Sequence, residues 1–155
     1  MFEDINITPN MKNALQNALD SSRLSHAVIL EGSDEKTREA AALAVAMHLL
    51  CKGSHRPCGV CSSCNKVKNA SHPDLHIIIK DEKSSMIKVE AIRNIKALAT
   101  VLPNDGDKSV FIIKEAQLMN VQSQNALLKI FEEPSPHVSF ILTCPSKAPL
   151  LETII

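Results

Sequence analysis

The sequence predicts an α/β fold, a largely parallel β-sheet flanked by helices, and three observations predict it. Short apolar runs of four to six residues recur along the chain, each stopped by turn-forming residues, as befits strands buried on both faces. Between them lie longer segments whose apolar residues repeat at helical spacing. The two kinds alternate, and that alternation builds βαβ units around a parallel sheet. With 155 residues, the chain fits one domain, read here as spanning 1–155.

Residues 10–22 read as an amphipathic helix, with Met11, Ala14, Leu15, Ala18 and Leu19 on one face. Ala27-Val28-Ile29-Leu30, stopped by Glu31-Gly32, reads as the first strand. An alanine-rich helix follows from about Asp34 to Leu50. Ser33 reads as its N-cap, with Asp34 and Glu35 in the first turn, where negative charge is favoured. A cysteine-rich segment comes next, and Pro73-Asp74 announces a second strand from Leu75 to Ile79. Ile87, Ala91, Ile92, Ile95, Leu98 and Ala99 repeat as a helix over 87–100. Residues 103–107 form a turn, and Val110-Phe111-Ile112-Ile113 is the third strand. Residues 121–133 make another helix, which Pro134 stops, with Ala126, Leu127, Ile130 and Phe131 packing inward. Val138 to Thr143 is the fourth strand. From Leu150 to Ile155 there is no helix cap and no polar tail, so the chain reads as cut from something longer.

Composition narrows the function classes. Apolar residues are 45% and charged residues 22%, the balance of a soluble globular core. No apolar run approaches the ~18–20 residues that span a bilayer, and the acidic, polar start MFEDINITPN is no secretory signal. The expected location is cytoplasmic. Seventeen basic and seventeen acidic side chains leave zero net charge, without Trp or Tyr and with only four Phe. A protein binding nucleic acid alone would show basic excess and stacking aromatics. Any work on DNA would run through partners.

Cys51, Cys58, Cys61 and Cys64 form a C-x6-C-x2-C-x2-C cluster, with Gly53, Pro57 and Gly59 supplying turns. In a reducing compartment clustered thiols are metal ligands more often than disulfides. Four thiolates close a tetrahedral shell around zinc and leave no open position, so the site reads as structural, in an insertion at about 51–66. His55, His72 and His76 could substitute, though four Cys already saturate zinc. Cys144 stands apart at a strand end and reads as a small buried thiol.

Glu31 to Glu39 occupies the place of a phosphate-binding loop, between the first strand and a helix. The working pattern G-x4-G-K-[ST] counted from Gly32 puts Thr37 at the second glycine, Arg38 at the lysine and Glu39 at the metal-binding hydroxyl. Lys36-Thr37 falls two residues early. Asp34 and Glu35 set negative charge where phosphate would sit. The third strand ends in Lys114-Glu115, where a phosphate-hydrolysing site needs a metal-holding Asp followed by Glu. Neither ATP nor Mg²⁺ is expected to bind, and no residue is assigned a catalytic role.

The layout as a whole resembles the AAA+ cores of bacterial clamp-loader subunits, a P-loop NTPase-like fold. The residues that carry the resemblance are His26-Ala27 before the first strand, the zinc knuckle after the helix that follows, 71–76 (SHPDLH), 87–93 (IKVEAIR) and above all 124–134 (QNALLKIFEEP). It covers about 24–155. One departure is the first cysteine gap of six, where the family more usually has eight, which bears on the knuckle's outer surface. Intact phosphate loops in this family belong to gamma/tau motor subunits and degenerate ones to the delta-prime branch of DNA polymerase III, so the resemblance points to the N-terminal part of that branch.

The resemblance implies a non-catalytic stator in a hetero-pentamer with gamma/tau and delta subunits, which loads the sliding clamp onto primed DNA during DNA replication. A DNA-directed DNA polymerase (nucleotidyltransferase) label would then belong to the complex. It also implies a continuation Ser-Arg-Cys just after Ile155, whose arginine would reach a neighbour's ATP site. The surface from Asn125 to Pro134 would face that neighbour, with Asn125, Lys129, Glu132 and Glu133 at the interface. Two other readings are open: a working gamma/tau-like ATPase holding nucleotide through Lys36 or Arg38, and a stand-alone zinc module reading nucleic acid. Zero net charge opposes the second of these, despite the basic cluster Lys52, His55, Arg56, Lys66 and Lys68.

Overall fold

In a computed structural model of the chain, residues 4–22, 24, 26–150 and 154 are described. Most of the chain's closing stretch, 151–153 and 155, lies outside them, as do the first three residues of the acidic start. The elements are α1 (Pro9–Asp20), β1 (Ala27–Glu31), α2 (Glu35–Leu50), α3 (Ser62–Lys68), β2 (Leu75–Ile78), α4 (Val89–Ala99), β3 (Ser109–Ile113), α5 (Val121–Glu132) and β4 (Val138–Cys144), with a 3₁₀ turn at Ala116–Leu118.

The four strands form one sheet in the order β1-β4-β3-β2, every pair parallel. Val110 stands opposite Leu75 and Ser139, and Ile141 opposite Val28 and Ile112, so apolar runs meet across the sheet. Because side chains alternate across a strand, each run feeds two cores. Phe111, Ile113, Phe140 and Leu142 join Ile92 and Ile95 of α4 and Leu127 of α5 on one face. Val110, Ile112 and Ile141 join Leu19 of α1, Ala42, Val45 and Ala46 of α2 and Val67 of α3 on the other. This explains why the strands show no polar alternation: both faces are covered.

Several boundaries differ from the sequence expectation. Asp34, not Ser33, caps α2, because its carboxylate reaches the amide of Thr37 at 2.9 Å. Ile87 is not helical; it makes a parallel bridge with Met119 and is buried, which delays α4 to Val89. Ile79 falls outside β2 and is exposed, as are Met11 and Leu98 on faces read as apolar. Helix α3 was not expected at all. Its N-cap is Cys61, whose sulfur accepts the amide of Cys64, so a metal-ligand spacing doubles as a helix start.

Candidate functional site

Two helix ends build the cysteine cluster. Cys51 caps the C-terminus of α2, its amide donating to the carbonyl of Met47 at 2.9 Å. Cys61 caps α3 and Cys64 sits in its first turn. All four sulfurs, including that of Cys58, lie within 4.8 Å of one another. Cys58 and Cys64 are 3.9 Å apart, and a tetrahedral ion bound at ~2.3 Å would set its sulfurs about 3.8 Å apart. The amides of Gly53 and Cys58 donate to Cys51 Sγ at 3.2 and 3.3 Å, that of Cys61 to Cys58 Sγ at 3.3 Å, and that of Cys64 to Cys61 Sγ at 3.4 Å.

Such bonds favour thiolate. The amides of Lys52 and then Cys64 bring Cys61 down to about 6, and those of Val60 and Cys61 lower Cys58. Burial pushes Cys64 the other way, up to about 12. A cation at the centre is what would let all four ionise together, with release of protons. The donor set therefore fits a metal ion. None of the three histidines joins it: His72 Nδ1 accepts the amide of Asp74 at 3.0 Å, and His76 stacks on Phe111 with centroids 4.7 Å apart. Cys144 is buried at the end of β4.

Gly53 is required by crowding. A Cβ there would lie 2.9 Å from Cys58 Cβ and 3.1 Å from its sulfur. Gly53→Ala is expected to weaken metal binding about tenfold or more, in the range found for supporting residues of metal sites. Competition with a chromogenic chelator checks this; unchanged affinity would show that the loop can yield.

Side chains of the loop over 31–39 bond within the loop and to the residues that follow β3. Asp34 accepts from both the amide and the hydroxyl of Thr37, which hold its carboxyl below the usual range, the hydroxyl foremost. Arg38 is 5% exposed; its Nη1 donates to the carbonyl of Gly32 at 2.6 Å and its Nη2 pairs with Glu115 Oε1. Lys114 Nζ pairs with Glu39 at 3.0 Å. The residues standing at the lysine and hydroxyl positions of the loop thus bond the two residues that directly follow β3. Gln117 Nε2 adds a bond to Glu115 at 2.5 Å. Burial would raise Glu115's carboxyl, but the donors Gln117 and Arg38 outweigh it and hold the group below its ordinary value. Its backbone is left-handed (φ 55°), and its amide donates to Thr143 Oγ1 at 3.2 Å. Each altered residue was visible in the sequence; that they pair crosswise was not.

The basic cluster is largely committed internally. Lys52 and Lys66 both turn to Asp105, and Lys68 Nζ donates to the carbonyl of Gly59 at 2.7 Å. A cavity of about 660 Å³ opens at the amino ends of the strands, beside His26, Lys52, Arg56 and Lys108, away from the phosphate-loop position. On α5, Asn125, Lys129 and Glu132 are exposed along one stripe that Glu133 extends, and none forms an ion pair among the described residues. Leu127 on the opposite side is buried, with Ala126, Ile130 and Phe131 packed against the same core.

A family model described as "DNA polymerase III, delta subunit" matches residues 7–155. The delta' subunit of Bacillus subtilis (strain 168) is 32% identical over 150 residues, 96% of this chain and 45% of that protein. The tau subunit of the same organism is 33% identical over 153 residues, 96% of this chain and 27% of the relative. The chain thus spans less than half the length of these relatives. A crystal structure of a gamma subunit-related protein from Thermotoga maritima shares the fold, with TM-score 0.64 and 20% identity over 90% of this chain and 42% of that one. This α/β chain therefore belongs to the DNA polymerase III delta-subunit family, and its relatives include delta' and tau subunits that it matches along nearly its whole length.

Proposed function

We propose that this domain serves a bacterial clamp loader as a non-catalytic, delta-prime-like subunit: a zinc-bearing stator against which gamma/tau motor subunits and delta work to load the sliding clamp onto primed DNA, in the cytoplasm. One observation carries the reading. Arg38 pairs with Glu115 and Lys114 with Glu39, at the sequence positions where the lysine, hydroxyl and carboxylates of a working site would stand. An arginine that is buried and bonded to Gly32 and Glu115 presents little to a phosphate, and an ammonium at Lys114 repels Mg²⁺ where a carboxylate should hold it. Cys51, Cys58, Cys61 and Cys64 hold structural zinc, since four thiolates leave it no open position. The exposed stripe of Asn125, Lys129, Glu132 and Glu133 faces a neighbouring subunit; the core side of α5 anchors it.

The identity to a tau subunit, 33% beside 32% for delta', favours a second reading, a working ATPase. One experiment separates them. A ligand at a hundred times its Kd adds roughly 2.7 kcal/mol to stability, an easily seen shift. Millimolar ATP with Mg²⁺ is expected to leave the melting temperature unchanged. A clear rise with ATP, lost on Arg38→Ala, would establish the motor reading instead.

A further inference from the structure

Asp105 lies far in sequence from the cysteines, yet it collects three groups from the segments that carry or follow them. Its Oδ1 takes Lys52 Nζ at 2.6 Å, and its Oδ2 lies 3.6 Å from Lys66 Nζ and 4.0 Å from His72 Nε2. Lys52 directly follows Cys51, and Lys66 stands two residues after Cys64. His72 is buried; because its Nδ1 accepts the amide of Asp74, its proton sits on Nε2, which has no hydrogen-bond partner and is nearest to Asp105.

Asp105 is itself held from the opposite side. Its amide donates to Asp74 Oδ2 at 2.7 Å, and the amide and Nδ2 of Asn104 donate to Asp74 Oδ1 at 2.6 and 3.1 Å. Asp74 is buried at the mouth of β2. The turn before β3 is therefore pinned to the start of β2 by bonds that do not involve the knuckle.

We propose that Asp105 is the outer anchor of the metal knuckle, the carboxylate that fixes the chain beside the first and last cysteines to the sheet. The proposal rests on the zinc reading. A lone exposed pair would contribute little, but here two lysines share one carboxylate that its backbone already positions. A four-thiolate zinc centre would carry two negative charges, and Lys52 and Lys66, like Arg56, lie within two residues of a cysteine of the cluster and would offset them. Asp105 holds those lysines in one place. Supporting residues of this kind govern how tightly a site keeps its metal.

The experiment uses the zinc-loaded chain. Zinc per chain is measured first in the wild type; absence of metal there would defeat the zinc reading itself. Given one zinc, Asp105→Asn is expected to retain it but release it to a chelator about ten- to a hundredfold faster. Asp107→Asn, at a neighbouring exposed carboxylate without an ion pair among the described residues, is expected to release it at the wild-type rate. Hydrogen exchange on the wild type gives a second reading that does not depend on a variant folding. Removing zinc is expected to speed exchange of the Asn104 and Asp105 amides, because the turn then loses its outer hold. Wild-type release by Asp105→Asn, or unchanged exchange at those amides, would overturn the assignment.

Discussion

Cys64→Ser is expected to strip the metal and melt residues 51–68 while the four-stranded sheet stays folded. Cys64 is wholly buried, and it shares the cluster with a sulfur from the end of α2 and two from the chain between. Binding free energy at structural zinc sites is folding free energy, of the order of 10 kcal/mol in small zinc modules. No apolar cluster inside the insertion could replace it, since only Val67 reaches the second core. The sheet draws its own stability from two cores made chiefly by β1, β3, β4 and the helices α2, α4 and α5. Hydrogen exchange resolves the two parts: protection is expected to vanish in α3 and to persist in β3 and β4. Metal analysis should find about one zinc in the wild type and none in the variant. A variant that kept its zinc, or lost protection throughout, would contradict this division.

Glu115→Gln is expected to lower stability by roughly 2 kcal/mol, about 4–8 °C in melting temperature for a chain of this size. Removing one partner of a buried pair leaves the other charge stranded, typically at 3–5 kcal/mol. The lower figure reflects Glu115's 27% exposure, which lets water screen Arg38 in part. Replacing both, Arg38→Met with Glu115→Leu, should recover most of the loss, because no charge is then left buried. The pH dependence has a definite sign. Glu115's folded carboxyl sits below its ordinary 4.5, so its contribution is complete above about pH 4.5 and fades as the pH falls through the folded value. Wild type and Glu115→Gln should therefore converge in acid. A constant difference at all pH values would show that the stabilisation is not ionic.

The strands were legible because each is a short apolar run with no polar face to disguise it, and the sheet covers both sides of Val110-Phe111-Ile112-Ile113. The clustering of the four cysteines was legible because their spacing alone nearly determines that the sulfurs converge. Helix caps were less so: Ser33 and Asp34 are both capping types, and only the reach of a carboxylate to Thr37 decides between them. Helix α3 was hidden since Ser62, Ser63 and Asn65 favour turns, and the covering contact with α2 is tertiary. The crosswise pairing of Arg38 with Glu115 joins residues 77 positions apart. No local pattern could announce it. Asp105 escaped for the same reason, being an ordinary turn aspartate until the knuckle folds against it.

The strand order also constrains how the chain comes to be folded during its synthesis. β1 pairs only with β4 in the described sheet, Ala27 opposite Phe140, with more than a hundred residues between. At roughly 5–20 residues per second, β1 leaves the ribosome several seconds before its partner exists. For that interval a run of Ala, Val, Ile and Leu has both edges open, the kind of segment that pairs with the wrong chain. β2 and β3, separated by α4 alone, can meet much earlier. The first strand of this domain therefore waits for the last, and slower translation between them would lengthen the time its edges stand open.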